Sequence, residues 1–146
     1  MREMLFAFLD HILYSTYAFP LLQFHFDAVP YQLETLNLQT NYIRRLYPSD
    51  KNFQLLYLDL HGNNLESLPD GIFRAFTKLQ FLRMSNNMLT TLDFIPSLPQ
   101  SISNLDLRLN LMERLEVDLS PLVNLQDLYL SQNLWQCSCK IQDILE

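Results

Sequence analysis

Apolar and polar residues recur along this chain in a pattern of six fixed positions. Leu33, Leu36, Leu38, Asn41, Ile43 and Leu46 fill positions one, four, six, nine, eleven and fourteen of one copy. Leu55, Leu58, Leu60, Asn63, Leu65 and Leu68 fill the next, followed by Leu79, Leu82, Met84, Asn87, Leu89 and Leu92. Ile102, Leu105, Leu107, Asn110, Met112 and Leu115 form a fourth copy, and Leu125, Leu128, Leu130, Asn133 and Trp135 begin a fifth. The copies start at 33, 55, 79, 102 and 125, so the steps are 22, 24, 23 and 23 residues. A period in this range predicts a solenoid, in which each unit is too small to bury its own apolar side and does so against its neighbours.

Each unit is expected to hold one short strand, a tight turn and a return segment. Positions one, four and six point inward, and strand alternation sends the residues between them to the opposite face. The strands then stack in parallel. Position nine is polar yet lies on the inner side of the turn. A buried amide without partners costs about 1–3 kcal/mol, so Asn41, Asn63, Asn87, Asn110 and Asn133 are expected to form a structural ladder bonded to neighbouring backbone. Phe53, Phe73, Phe76, Ile95, Leu98, Leu119 and Leu122 recur in the return segments and are expected to pack beneath the strands. Pro69, Pro96, Pro99 and Pro121 favour extended or turn backbone there, so the convex side is predicted as loops and single turns with little helix.

The pattern extends backwards through Leu9, Ile12, Tyr14, Tyr17, Phe19 and Leu22, with Tyr17 at the asparagine position. Residues 1–32 are therefore expected to be an atypical N-terminal segment built as a degenerate first repeat. A signal-like or amphipathic helix is the competing reading, although Asp10 and His11 interrupt the apolar stretch that a signal peptide requires. Residues 33–134 hold the repeats, and 135–146 begin a different unit.

The strand register assigns the concave face. Between positions four and six lie Asn37, Asp59, Arg83, Asp106 and Tyr129. One step earlier lie Thr35, Tyr57, Phe81, Asn104 and Asp127, and one step after position six lie Gln39, His61, Ser85, Arg108 and Ser131. All are expected to be exposed columns. From them, Tyr57, Asp59, His61, Phe81, Arg83, Asp106, Arg108 and Tyr129 are the candidate partner-binding residues. Two readings of this patch stand together. Asp59, Arg83 and Asp106 can pair laterally and do no more than stabilise the sheet, by a few tenths of a kcal/mol each. Alternatively, Tyr57, Phe81 and Arg83 can anchor a protein partner, since Tyr and Arg are typical of energetic hot spots.

The residues also carry a resemblance. The span from Leu33 to Trp135 resembles extracellular leucine-rich repeats, and Leu68-Pro69-Asp70-Gly71-Ile72-Phe73 is similar to the repeat of Toll-like receptor ectodomains, Slit proteins, lamprey variable lymphocyte receptors and insect leucine-rich immune proteins. Asn133-Leu134-Trp135-Gln136-Cys137-Ser138-Cys139 is similar to the opening of the cysteine-rich C-terminal cap of those families, with Leu134 where they carry proline. Asp143, Ile144 and Leu145 resemble the start of the cap's first helix. The resemblance implies an α/β-type solenoid: a leucine-rich-repeat horseshoe with a parallel concave sheet and a loop-rich convex side. It also implies that Cys137 and Cys139 form disulfides with partners outside this chain, so the cap is expected to be incomplete here. A bond between the two is disfavoured by their spacing.

Composition narrows the functional classes. The chain has 146 residues, 49% of them hydrophobic, and a net charge of −6, so it lacks the basic footprint of a nucleic-acid binder. No run of 18 apolar residues is present, so no membrane span is expected within it. With Gly62 and Gly71 as its two glycines, it has no phosphate-cradling loop. One C-x-C pair, with His11, His25 and His61 far upstream, does not supply the four ligands of structural zinc, nor does it place a base beside a nucleophile. No catalytic residue, metal or cofactor is expected. The expected function is non-catalytic recognition of a protein ligand or co-receptor in an extracellular or cell-surface setting, open to homo- or hetero-oligomerisation. A cytosolic scaffold or adaptor is the alternative, since the chain has no N-x-S/T sequon.

Overall fold

A computed structural model describes residues 22–136. Within them the chain winds into a solenoid of short parallel strands. The strands are β1 (Gln23–His25), β2 (Thr35–Asn37), β3 (Arg45–Tyr47), β4 (Tyr57–Asp59), β5 (Phe81–Arg83), β6 (Asn104–Asp106) and β7 (Asp127–Tyr129). Five of them form one parallel sheet in the order β2-β4-β5-β6-β7. Leu36, Leu58, Leu82, Leu105 and Leu128 stand opposite one another, as do Thr35, Tyr57, Phe81, Asn104 and Asp127. The third strand column is Asn37, Asp59, Arg83, Asp106 and Tyr129. The backbone ladder continues past the strands, because Leu38 N donates to Asp59 O, Leu60 N to Arg83 O, Met84 N to Asp106 O and Leu107 N to Tyr129 O.

The apolar positions build the core as their spacing predicts. Leu55, Leu79 and Ile102 at position one, Leu58 and Leu105 at position four, and Leu60, Met84 and Leu107 at position six are fully buried. Their counterparts in the last copy, Leu125, Leu128, Leu130 and Trp135, are half-buried. The convex anchors Phe53, Phe73, Phe76, Ile95, Leu98 and Leu122 are buried, and Leu119 packs at the margin. The return segments are loops and turns, with 3-10 turns at Phe26–Ala28 and Ile95–Ser97.

The asparagine ladder is present in detail. Asn63 Nδ2 donates to Leu38 O and Leu60 O, and its Oδ1 accepts from Ile43 N. Asn87, Asn110 and Asn133 repeat that arrangement one coil further on each time. Among the described residues, Asn41 bonds within its own turn, to Leu38 O and Gln39 O. The residue before each asparagine takes a left-handed conformation, at Thr40, Gly62, Asn86, Leu109 and Gln132. Leu109 holds a φ of 56°, which a side chain bearing a Cβ adopts against a penalty of about 1–2 kcal/mol. The tight turn recurs because its peptide groups bond to the ladder, not because glycine permits it.

The start of the described region departs from the one-strand-per-unit expectation. β1 pairs with β3 in a second, two-stranded parallel sheet on the flank of the coil. Phe24 stands opposite Leu46 and is buried, while Leu22 is exposed. The apolar position expected at Leu22 thus falls at Phe24, two residues later. Phe26 is fully buried as well, with its ring centroid 4.8 Å from that of Phe76. Leu9, Ile12, Tyr14, Tyr17 and Phe19, together with Cys137, Cys139, Asp143, Ile144 and Leu145, lie outside the described residues.

Candidate binding face on the concave sheet

β4, β5 and β6 bring most of the candidate residues together at the centre of the concave face. A cavity of about 310 Å³ is lined by Tyr57, Phe81, Arg83, Asp106, Arg108 and Tyr129, with Leu82 and Asn104. Asp59 and His61 are adjacent but do not line it. Tyr57 and Phe81 pack side by side with ring centroids 6.3 Å apart. Across the cavity, the Arg108 guanidinium carbon lies 5.0 Å from the centre of the Tyr129 ring.

Exposure is uneven, and this corrects the expectation that all three columns face solvent. Phe81 and Tyr129 are exposed, whereas Asp59, Ser85 and Asp106 are buried. The reason is local coverage. Arg83 Nη1 lies 3.3 Å from Asp59 Oδ2, and Arg83 Nε lies 3.7 Å from Asp106 Oδ2. Arg108 grips Asp106 in bidentate fashion, Nε to Oδ1 at 2.9 Å and Nη2 to Oδ2 at 2.8 Å. Tyr57 Oη donates to Asp59 Oδ2 at 3.4 Å. The lateral pairing that charge alternation implies therefore exists, and its arginines line the same cavity as the aromatic residues.

The carboxylates also brace the backbone. Asp59 Oδ1 accepts from His61 N and Asp106 Oδ1 from Arg108 N. His61 Nδ1 lies 2.9 Å from Ser85 Oγ. Burial pushes the Tyr57 hydroxyl above its ordinary value, and the Asp59 charge adds to that shift. Burial pushes Asp106 upward too, but hydrogen bonds from the Arg108 side chain and backbone and from Ser85 outweigh it and hold the carboxyl below its ordinary 3.8. Because the folded value is the lower one, ionised Asp106 stabilises the fold above pH 3.8, and that contribution is lost as the pH falls below it. Urea titrations between about pH 5 and pH 2 should therefore show a steeper loss of stability in the native chain than in Asp106→Asn; equal slopes would remove Asp106 from this role.

Two surface features elsewhere were not anticipated. Tyr42, Met88, Leu111 and Leu134 occupy the position just after the ladder asparagine and are all exposed. Beside Leu111 on the flank is a second cavity of about 420 Å³, lined by Thr90, Thr91, Leu92, Asp93, Glu113 and Glu116, with Arg114. The repeat pattern leaves those positions unassigned, so only a count of side chains between its fixed points could have found them. Among the described residues, no group of three or more His, Cys, Asp and Glu side chains is placed to hold a metal ion. Among them also, no helix is long and apolar enough to cross a membrane.

Comparison with known proteins agrees with this architecture. Residues 53–100 match the model of the leucine rich repeat family. The chain is 29% identical to Protein toll of Drosophila melanogaster over 108 residues, which cover 71% of this chain and 10% of that protein. It is 38% identical to human lumican over 106 residues, covering 69% of this chain and 29% of lumican. It is 34% identical to mouse fibromodulin over 101 residues, covering 67% of this chain and 26% of fibromodulin. The chain thus spans less than a third of the length of each of these relatives.

Proposed function

We propose that this chain, a leucine-rich-repeat protein, is a non-catalytic recognition module of receptor or innate-immune type that holds a protein ligand or co-receptor against its concave face. The observation that carries the proposal is the central cavity, where the exposed rings of Phe81 and Tyr129 flank two partly exposed guanidinium groups. Large apolar side chains on a solvated sheet face are the usual material of energetic hot spots when they surround a desolvatable centre. The scaffold beneath them is pre-organised: the asparagine ladder and the Asp59, Arg83, Asp106 and Arg108 network fix the backbone before any partner arrives. Little ordering entropy is then lost on binding.

The matches to Toll, lumican and fibromodulin support an extracellular or cell-surface setting. Fractionation of the tagged chain, combined with alkylation of Cys137 and Cys139, separates this setting from that of a cytosolic scaffold. The binding face is tested by alanine substitution of Tyr57, Phe81 and Tyr129 against a partner identified by proximity labelling. Substitution of a hot-spot residue costs about 2 kcal/mol or more, roughly a thirtyfold loss of affinity. Such a loss is expected for at least one of the three. If all three leave affinity unchanged while Val123→Ala, at a site 70% exposed away from the concave columns, weakens it, the face has been misassigned.

A further inference from the structure

We propose that the centre of the concave face recognises an extended acidic segment of its protein partner, with a Glu or Asp carboxylate received by Arg83 and Arg108 and flanking apolar side chains laid over the aromatic rings. The proposal rests on the concave-face reading above and names the chemistry of the partner.

Asp59, Arg83, Asp106 and Arg108 sum to zero formal charge, so the bare sequence suggests a neutral patch. Burial breaks that symmetry. The side chains of Asp59 and Asp106 are 3% and 6% exposed, against 38% for Arg83 and 43% for Arg108. A partner therefore meets guanidinium edges and not carboxylates. The hydrogen-bonding capacity is uneven in the same direction. Asp59 already accepts from His61 N, Tyr57 Oη and Arg83, and Asp106 accepts three bonds from Arg108 alone. A guanidinium carries five N–H donors. Arg108 uses Nε and Nη2 on Asp106, and Arg83 directs Nη1 at Asp59. Among the described residues, neither Arg83 Nη2 nor Arg108 Nη1 has an acceptor in hydrogen-bonding range.

Arg83 and Arg108 lie on adjacent coils of the sheet and both line the same cavity, so one carboxylate there meets both guanidinium groups. Planar forks of this kind match a carboxylate better than an ammonium would. The rest of the chain disfavours a long polyanion such as a sulfated polysaccharide, because the net charge is −6. That repulsion is screened beyond about 8 Å at physiological salt, so a short acidic segment that reaches the two arginines still gains. The flank cavity carries Asp93, Glu113 and Glu116 against Arg114 and has the opposite preference, which confines an acidic segment to the concave side.

The test uses the full chain and fluorescence anisotropy. The probes are a short labelled peptide in which glutamate alternates with leucine and tyrosine, its glutamine and lysine counterparts, and heparin. A hydrogen bond to a charged group contributes about 1.5–3 kcal/mol, so the glutamate peptide is expected to bind roughly tenfold or more tighter than the glutamine peptide. The lysine peptide should bind weakest, and the margin should shrink as salt is raised. Arg83→Gln and Arg108→Gln should each erase most of the margin, and Glu113→Gln should leave it unchanged. Melting curves establish that each variant is folded. Where a glutamine variant is not, Arg83→Lys or Arg108→Lys serves instead and should reduce the margin severalfold while keeping the charge. A glutamine peptide that binds as well as the glutamate peptide overturns the proposal, as does the absence of binding by all three peptides or heparin binding that survives both arginine changes. If Tyr57→Ala and Phe81→Ala weaken glutamate and glutamine peptides alike while the arginine changes do nothing, the acidic preference fails and the concave-face reading stands. If neither set of changes matters to a bound peptide, both fail.

Discussion

Phe76→Ala is expected to destabilise the fold by about 3–5 kcal/mol, the range for removing a fully enclosed aromatic ring. Phe76 is 1% exposed, and its ring meets three others: Phe26 edge-on at 4.8 Å, Phe53 stacked at 5.0 Å and Phe73 at 6.4 Å. Phe26 and Phe53 belong to preceding coils and Phe73 to its own, so the void would open at the junction between coils. A solenoid is stabilised by nearest-neighbour interfaces, and the substitution weakens the interface between its own coil and those that precede it. Against a total stability of about 5–15 kcal/mol for a natural domain, a loss of this size leaves a substantial unfolded population. Urea denaturation followed by circular dichroism measures it. Phe81→Ala is the control, because that ring is 42% exposed on the concave face and should cost about 1 kcal/mol or less. Equal shifts for the two variants would show that the phenylalanine cluster is not the keystone of the convex core.

The features legible in the sequence are those that repeat. Leu58, Leu82 and Leu105 are identical in type and spacing, so their shared column follows from strand periodicity alone. The same holds for Asn63, Asn87 and Asn110, where a polar residue recurring at an inner position has no physical use except to bond backbone. Features that occur once are hidden. β1 and β3 pair only at the start of the described region, and Phe24 differs in type and offset from the leucine it replaces. The left-handed turn was hidden for another reason: its residues are Thr40, Gly62, Asn86, Leu109 and Gln132, a set with no common chemistry. The conformation there is imposed by the bonds on either side of it.

The candidate site shows the same division. Which residues share a column was predictable from register, and the central cavity gathers Tyr57, Phe81, Arg83, Asp106, Arg108 and Tyr129 accordingly. Which of them face solvent was not. Asp106 and Arg108 are two residues apart, and their bidentate contact needs the side chains to turn toward each other, which strand alternation does not specify. That contact buries the acid and leaves the base exposed. A formally neutral patch becomes a surface rich in donors.

Asn87→Ala should cost about 2–3 kcal/mol, despite removing only one small amide. Asn87 is 7% exposed. Its Nδ2 donates to Leu60 O at 3.0 Å and Met84 O at 3.1 Å, while its Oδ1 accepts from Leu65 N at 3.1 Å. Leu60 and Leu65 belong to the preceding coil and Met84 to its own, so the side chain joins two coils as well as closing one turn. Alanine leaves the Leu65 N–H without a partner in the interior, at about 1–3 kcal/mol for a buried group left unsatisfied, while Leu60 O keeps its bond from Asn63 Nδ2 and Met84 O its bond from Asn110 Nδ2. Asn41→Ala supplies the comparison. Asn41 is half-buried and, among the described residues, bonds Leu38 O and Gln39 O of its own turn, so its loss should cost about 1 kcal/mol. The contrast isolates the coil-to-coil bonds from the turn itself, because the two substitutions are chemically identical. If both variants shifted the urea midpoint equally, the ladder would be a set of independent turns, and the rigidity attributed to the concave face would have to come from its leucine core alone.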